Sequence, residues 1–276
     1  MFACTAVQVN GLREGNGMAE LAPHTLHGWY ALHQMFCIDR ALTGRLDAGE
    51  RSSLIREVET LLCTAEGEGW SAAFELLGGR ADIMFVHFRP TLDDLGRVAR
   101  ALRRSRVGEV LRLEYDFVSV AEAALYHATV EAQQETASTP AGYERRLAEL
   151  AAAESASPRM QQRLQPVVSP EWRYVCFYPM NRRRSGDDNW YTLPIADRNR
   201  LLNEHGLTGR RYAGRIVQII TGSTGLADWE WGVTLFAKDP LELKRIVTEM
   251  RFDGASARYA EFGRFFTGIR VAEPWI

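Results

Sequence analysis

The chain has 276 residues, 46% hydrophobic and 25% charged, and its 33 Lys plus Arg against 35 Asp plus Glu leave a formal net charge of −2. Such a chain is an ordinary globular one, long enough to bury a sizeable core in one large or two medium domains. Its charge balance gives no global reason to bind nucleic acid or an anionic membrane, and no apolar run approaches the roughly 20 residues that span a bilayer.

Residues 1–22 read as a flexible leader without the basic start or apolar run of a secretory signal, which points to the cytoplasm. The four cysteines, Cys4, Cys37, Cys63 and Cys176, have no paired spacing. The last three sit in apolar surroundings and are expected to be buried thiols. His24, His27 and His33 do not share one helix face, and His87 falls in a β-prone run that places it in the core or at a rim.

Two stretches look related, residues 81–105 and 229–252. Each begins with a strand, Ile83–Phe88 or Trp231–Phe236, and continues into an amphipathic helix. Thr91 is a cap ahead of the stripe Leu92, Leu95, Val98 and Leu102. Asp239 is a cap and Pro240 a first helical residue ahead of Leu243, Ile246, Val247 and Met250. This repetition predicts an internal duplication. Further strands are expected at Leu111–Val120, Tyr174–Tyr178, Arg215–Thr221 and Phe265–Val271, and a helix at Tyr143–Glu154. The fold expected is α+β, two ferredoxin-like halves forming a dimeric α+β barrel-type domain pair. Its parts would be the leader 1–22, an N-terminal half 23–163 and a C-terminal half 164–276.

Residues 178–205, YPMNRRRSGDDNWYTLPIADRNRLLNEH, stand out chemically. Arg182–Arg184 suit either a solvated loop or a carboxylate clamp. Trp190 and Tyr191 can anchor the loop that follows. A helix should then start at Pro194 and stop at Gly206, with His205 in its last turn. A lone histidine there is ordinarily a dipole-favoured cap, and as a metal ligand it would need a partner to fix its tautomer. The short signatures of zinc proteases, P-loop proteins, α/β-hydrolases and dinucleotide-binding folds are absent.

The stretch CFYPMNRRRSGDDNWYTLP followed by NEHGLTGRRYAGRIVQIITGSTGLADWEWGVTLFAKDPLELKRIVTEMRFDGASARYAEFGRFFTG resembles coproheme decarboxylases of the chlorite dismutase-like superfamily over nearly all of residues 172–268. The first half resembles them through its strand-helix pattern and LEYDFVSVAEA. The resemblance implies hydrogen peroxide-dependent conversion of two propionates of iron-coproporphyrin III to vinyl groups, giving haem b. It implies His205 as proximal iron ligand, and Tyr178 as the tyrosine whose oxyl radical takes a hydrogen from the propionate β-carbon. Gln218 matches the distal position, where dioxygen-producing chlorite dismutases carry arginine. Ser256 and Arg163 match propionate contacts, Arg163 one residue further upstream of Tyr178 than the family pattern. Arg182 stands where many members have lysine, and Arg is not a conservative replacement. The actinobacterial branch adds a distal histidine that has no counterpart here. The partners implied are further copies of the chain, as a homopentamer, and a coproporphyrin ferrochelatase in transient contact. Chlorite dismutation and haem binding or transfer without chemistry are the competing readings.

Overall fold

The computed structural model describes residues 22–271, except 66, 79–80 and 136–139. The expected leader, apart from Ala22, and Cys4 therefore lie outside the described residues. The strands are β1 (Thr25–Ile38), β2 (Trp70–Leu76), β3 (Ile83–Arg89), β4 (Leu111–Ala124), β5 (Tyr174–Arg182), β6 (Ile216–Gly222), β7 (Trp231–Ala237), β8 (Ala260–Phe262) and β9 (Phe266–Arg270). The helices are α1 (Arg40–Thr43), α2 (Ala48–Leu62), α3 (Leu92–Arg104), α4 (Arg106–Glu109), α5 (Tyr126–Glu135), α6 (Pro140–Ser155), α7 (Pro158–Leu164), α8 (Ile195–Arg210), α9 (Pro240–Met250) and α10 (Gly254–Tyr259). Residues 163 and 164, the expected seam between halves, both belong to α7.

Strand order explains the duplication. The first half runs β4-β1-β3-β2 and the second β9-β5-β7-β6, the same 4-1-3-2 order with β9 as fourth strand. Two such antiparallel sheets, each with helices on one face, are the ferredoxin-like halves expected. They join at both edges, β2 to β9 through Phe74↔Arg270 to Leu76↔Gly268, and β4 to β6 through Val120↔Gly222 and Ala121↔Thr221. Joining both edges closes eight strands into a ring, with β8 continuing beside β5. Closure removes the exposed edges that invite aggregation.

Alternation along the strands gives the barrel two kinds of surface. Met35, Phe74, Phe88, Phe117, Phe177 and Phe236 fill the interior. On the outer face of the first half, Phe36, Ile83 and Phe85 pack under Leu54, Val58 and Leu102 of α2 and α3. On the outer face of the second half, Cys176, Tyr178, Val233 and Leu235 pack under Leu243, Ile246 and Met250 of α9. α8 instead packs chiefly on α5, α9 and α10, which leaves space between it and the sheet. A close approach seats α7 at the rim, because a Cβ at Gly28 would overlap the Leu164 carbonyl.

Several local expectations change. β5 runs through Pro179 to Arg182. Pro179 pairs with Gly232 between the end of β9 pairing and the start of β8 pairing, so its missing N–H breaks no ladder there. Leu92 is exposed at 49% while Leu95 and Leu102 are buried, so the α3 stripe begins one turn later than expected. Cys63 caps α2 and is exposed, Cys37 is half-buried, and among these three expected core thiols Cys176 alone is buried. No helix among the described residues is long and apolar enough to cross a membrane.

Candidate functional site

Gly206 does not stop α8, which continues to Arg210. A glycine ends a helix by adopting positive φ just past its last turn. Gly206 does not adopt it, and the chain reverses only at Gly214, with φ of 78°. His205 therefore lies inside the helix rather than in its last turn, beyond the reach of a C-terminal dipole effect.

What holds His205 is Asp253, at the N-cap of α10. The imidazole Nδ1 is 2.8 Å from Asp253 Oδ2, and Asp253 Oδ1 accepts the Ser256 N–H at 2.8 Å. Burial alone would raise the Asp253 carboxyl. The hydrogen bonds from His205 and Ser256 outweigh it and hold the group below its usual range. A carboxylate facing Nδ1 favours the tautomer with the proton on Nδ1, which leaves Nε2 with its lone pair. The end of α8 is braced by Tyr212 Oη donating to Glu249 at 2.7 Å, and the turn after it by Arg215 on Glu242 at 2.7 Å.

The space between α8 and the sheet is a cavity of about 1760 Å³. That exceeds the roughly 300–1,000 Å³ of common small-molecule pockets. Tyr178, Arg182, His205, Gln218, Ser256 and Arg163 all line it, so every residue expected at the site borders one cavity. Tyr178 shares a sheet face with Gln218: the cross-strand rows are Tyr178–Val233–Ile220 and Cys176–Leu235–Gln218. The two are separated by two strand spacings, about 10 Å, and two residues, about 7 Å, along the strand. Gln218 crosses toward α8, its Oε1 ending against Gly209. The Tyr178 ring stacks on Phe265 at 4.4 Å and meets the edge of Phe262 at 5.8 Å. Burial pushes its hydroxyl well above the usual phenol range, so it stays protonated at neutral pH.

The arginine run divides. Arg182 is buried, its Nη1 donating to the Ala255 carbonyl at 2.6 Å and its guanidinium 4.6 Å above the Trp190 ring. Burial pulls its pKa below the usual guanidinium value. Arg183 is half-buried and Arg184 is exposed. Trp190 is an anchor as expected, 2% exposed, while Tyr191 is half exposed with its hydroxyl on Glu230 at 2.6 Å. Ser256 is buried with Oγ 3.4 Å from Asp253 Oδ2, beside His205. Arg163 is at the rim, where its Nε donates to the Glu122 carbonyl at 3.2 Å.

Sequence reasoning missed Asp253, Arg251 and Tyr126. Asp253 carries one local signal, an acidic cap three residues ahead of Ser256, but its partner His205 is 48 residues away. Arg251 lines the cavity with its guanidinium 4.4 Å from the Phe262 ring. Tyr126 also lines it, with Arg198 5.9 Å from its ring. Nothing in an isolated sequence assigns either to the site.

The donor set fits a tetrapyrrole iron. Among the described residues no three His, Cys, Asp or Glu side chains gather to hold a bare ion. A single imidazole with a carboxylate on Nδ1 suits a metal whose remaining ligands come from a macrocycle.

A barrel of two ferredoxin-like halves, with one oriented histidine on a cavity lined from both, is an arrangement suited to a haem-type group. The chlorite dismutase family matches residues 51–271, and the chain belongs to that family. It is 38% identical to a heme-binding protein of Thermus thermophilus, covering 91% of this chain and 95% of that one with a TM-score of 0.77. A chlorite dismutase variant from Candidatus Nitrospira defluvii is 20% identical, covering 89% and 92% with a TM-score of 0.65, a likeness of fold. The same enzyme in complex with imidazole is 19% identical, with the same coverage and TM-score.

Proposed function

We propose that the protein is a coproheme decarboxylase, converting two propionates of iron-coproporphyrin III to vinyl groups with hydrogen peroxide and releasing haem b. Each turn removes carbon dioxide and one β-carbon hydrogen from a propionate, while peroxide is reduced to two waters. The observation that carries the reading is the gathering of His205, Tyr178 and Arg182 on one cavity, with the His205 Nδ1 held by Asp253.

His205 Nε2 would hold the iron of the substrate, and that iron supplies the oxidising equivalent drawn from peroxide. Tyr178, fixed by its stack on Phe265, would take the β-carbon hydrogen. Such a step needs the reacting atoms roughly 3–3.5 Å apart, which a packed ring favours over a free one. Arg182 would hold a propionate through charge-assisted hydrogen bonds, with Ser256 and Arg163 as further propionate contacts. Gln218, an uncharged amide at the distal position, suits a pocket that does not concentrate an oxychlorine anion and counts against chlorite dismutation. A cytoplasmic, pentameric enzyme receiving substrate from a coproporphyrin ferrochelatase belongs to the same proposal. The second reading, haem binding or transfer without chemistry, is favoured by the description of the Thermus thermophilus relative as heme-binding.

The test is to mix the protein with iron-coproporphyrin III, titrate peroxide and follow porphyrin mass by chromatography. Stepwise loss of two carboxyl groups ending at haem b supports the enzyme. Binding without mass loss moves the carrier reading ahead, with chlorite as the next reagent.

A further inference from the structure

The segment from Arg183 to Leu193 forms part of the cavity wall, yet a carboxylate outside the cavity lining pins it. Glu230, 6% exposed, directly precedes β7. Its Oε2 accepts the backbone N–H of Arg182 at 2.8 Å and its Oε1 accepts the Tyr191 hydroxyl at 2.6 Å. Arg184 Nη1 stands 3.8 Å from the same Oε1. The Glu230 backbone is itself fixed, its N–H donating to Asn181 Oδ1 at 2.8 Å and its carbonyl accepting from Ser223 N–H at 2.8 Å. One carboxylate thus joins the last residue of β5, where the segment leaves the sheet, to Tyr191, where it returns. Between them the Trp190 indole sits under the Arg182 guanidinium. The segment is also held by the buried Trp190 ring, 5.4 Å from Tyr259 between ring centres, and by exposed ion pairs, Arg258 on Asp188 at 2.8 Å and Arg183 on Asp188 at 3.6 Å, a kind that contributes little.

We propose that Glu230 is a positioning residue of this site: by tying Arg182 to Tyr191 it keeps the 183–193 segment closed on the cavity and fixes the Arg182 guanidinium for the carboxylate of a bound ligand. The ligand's chemistry rests on the decarboxylase reading; the tie itself does not. The Arg182 N–H can only donate, whereas the Tyr191 hydroxyl can also accept, so a glutamine there can keep a neutral bond to each. Glu230→Gln keeps the volume and loses only the charge, and Glu230→Leu loses both bonds.

The segment carries its own reporter, because trypsin cuts after arginine and Arg182–Arg184 lie at its start. Limited digestion of the full chain should cut Glu230→Leu at these bonds at least about tenfold faster than the parent, the order expected for loss of even one hydrogen bond to a charged group, and Glu230→Gln by less. Tyr191→Phe, which removes a single hydroxyl, should accelerate the same cuts and serves if Glu230 variants fail to fold. Affinity for iron-coproporphyrin III, read by absorbance, should fall about tenfold in Glu230→Leu but change little when the same substitution is made in Arg182→Ala, the coupling expected of a residue that acts through another. Digestion at the parent rate overturns the tie, and equal weakening in both backgrounds overturns its action through Arg182. If the parent binds no porphyrin, the decarboxylase reading falls while the digestion result still decides the tie.

Discussion

Asp253→Asn tests whether the carboxylate on His205 does more than cap a helix. Both Asp253 oxygens are in use, Oδ2 on His205 Nδ1 and Oδ1 on the Ser256 N–H, each at 2.8 Å. Asparagine offers one acceptor oxygen and one NH2, so it can keep the cap or the histidine, not both. If the oxygen stays on Ser256, the NH2 faces Nδ1, drives the proton to Nε2 and removes the lone pair that would meet iron. If the oxygen turns to His205, α10 loses its cap, at about 0.5–2 kcal/mol. Either way one hydrogen bond to a charged group is lost, worth about 1.5–3 kcal/mol. Because a ligand's orienting partner typically controls metal affinity by about 10–100-fold, the loss should be seen mainly there. Titration with haem b, followed by absorbance and paired with urea unfolding of the free protein, separates the two. Affinity and stability both equal to the parent would refute the assignment of Asp253 as the partner that orients an iron-binding His205.

Tyr178→Phe keeps the ring stack on Phe265 and should bind iron-coproporphyrin III normally while forming no haem b; near-normal haem b by chromatography would remove Tyr178 from the chemistry. His33 and His87 are wholly buried and pushed down to about 3, His33 by burial and His87 by burial with the charges of Arg89 and His33. Unfolded histidines titrate near 6.5, so the unfolded chain binds more protons between those values, and stability is full above about 6.5 and lost as pH falls toward 3. Each should contribute a slope of up to about 1.4 kcal/mol per pH unit in that window, and His33→Phe should remove one such contribution from urea unfolding series at pH 7 to 5. Gly222→Ala places a Cβ inside the Glu122 carboxylate, which accepts Trp231 Nε1 at 2.8 Å across the short β4–β6 seam. It should destabilise the protein by about 1–3 kcal/mol in thermal unfolding, and Gly222→Ala with Glu122→Ala together should recover part of that loss.

Much of the fold is legible because its signals are local. The stripe Leu243, Ile246 and Met250 behind the Asp239 cap has helical period, and the Asp239 side chain does accept the Leu241 N–H at 2.9 Å. β1 escaped notice because Trp29–Phe36 lies in the barrel wall, near-continuously buried on both faces, and such runs show no alternation. Gly206 misled for a different reason: glycine ends a helix only where the backbone turns to positive φ, and the packing of α8 on α9 and α10 carries the helix past it. At the site, residue types could be read but not their company. Three consecutive arginines look alike in sequence, yet Arg182 is buried on Trp190, Arg183 is half-buried and Arg184 is exposed, because β5 ends at Arg182.

The sequence by itself determined the two-fold repetition of strand and helix, the candidates His205, Tyr178 and Arg182, and the absence of a global charge that would choose a partner. Propensity, caps and apolar period act over a few residues, and a chain carries them whether folded or not. Only the tertiary structure decided that an open cavity lies between α8 and the sheet, walled in part by α5 and α7 of the first half, that Asp253 orients His205, and that Glu230 ties both ends of one segment. Each of these joins residues that are tens of positions apart, and such pairings exist only once both sheets have closed into one barrel.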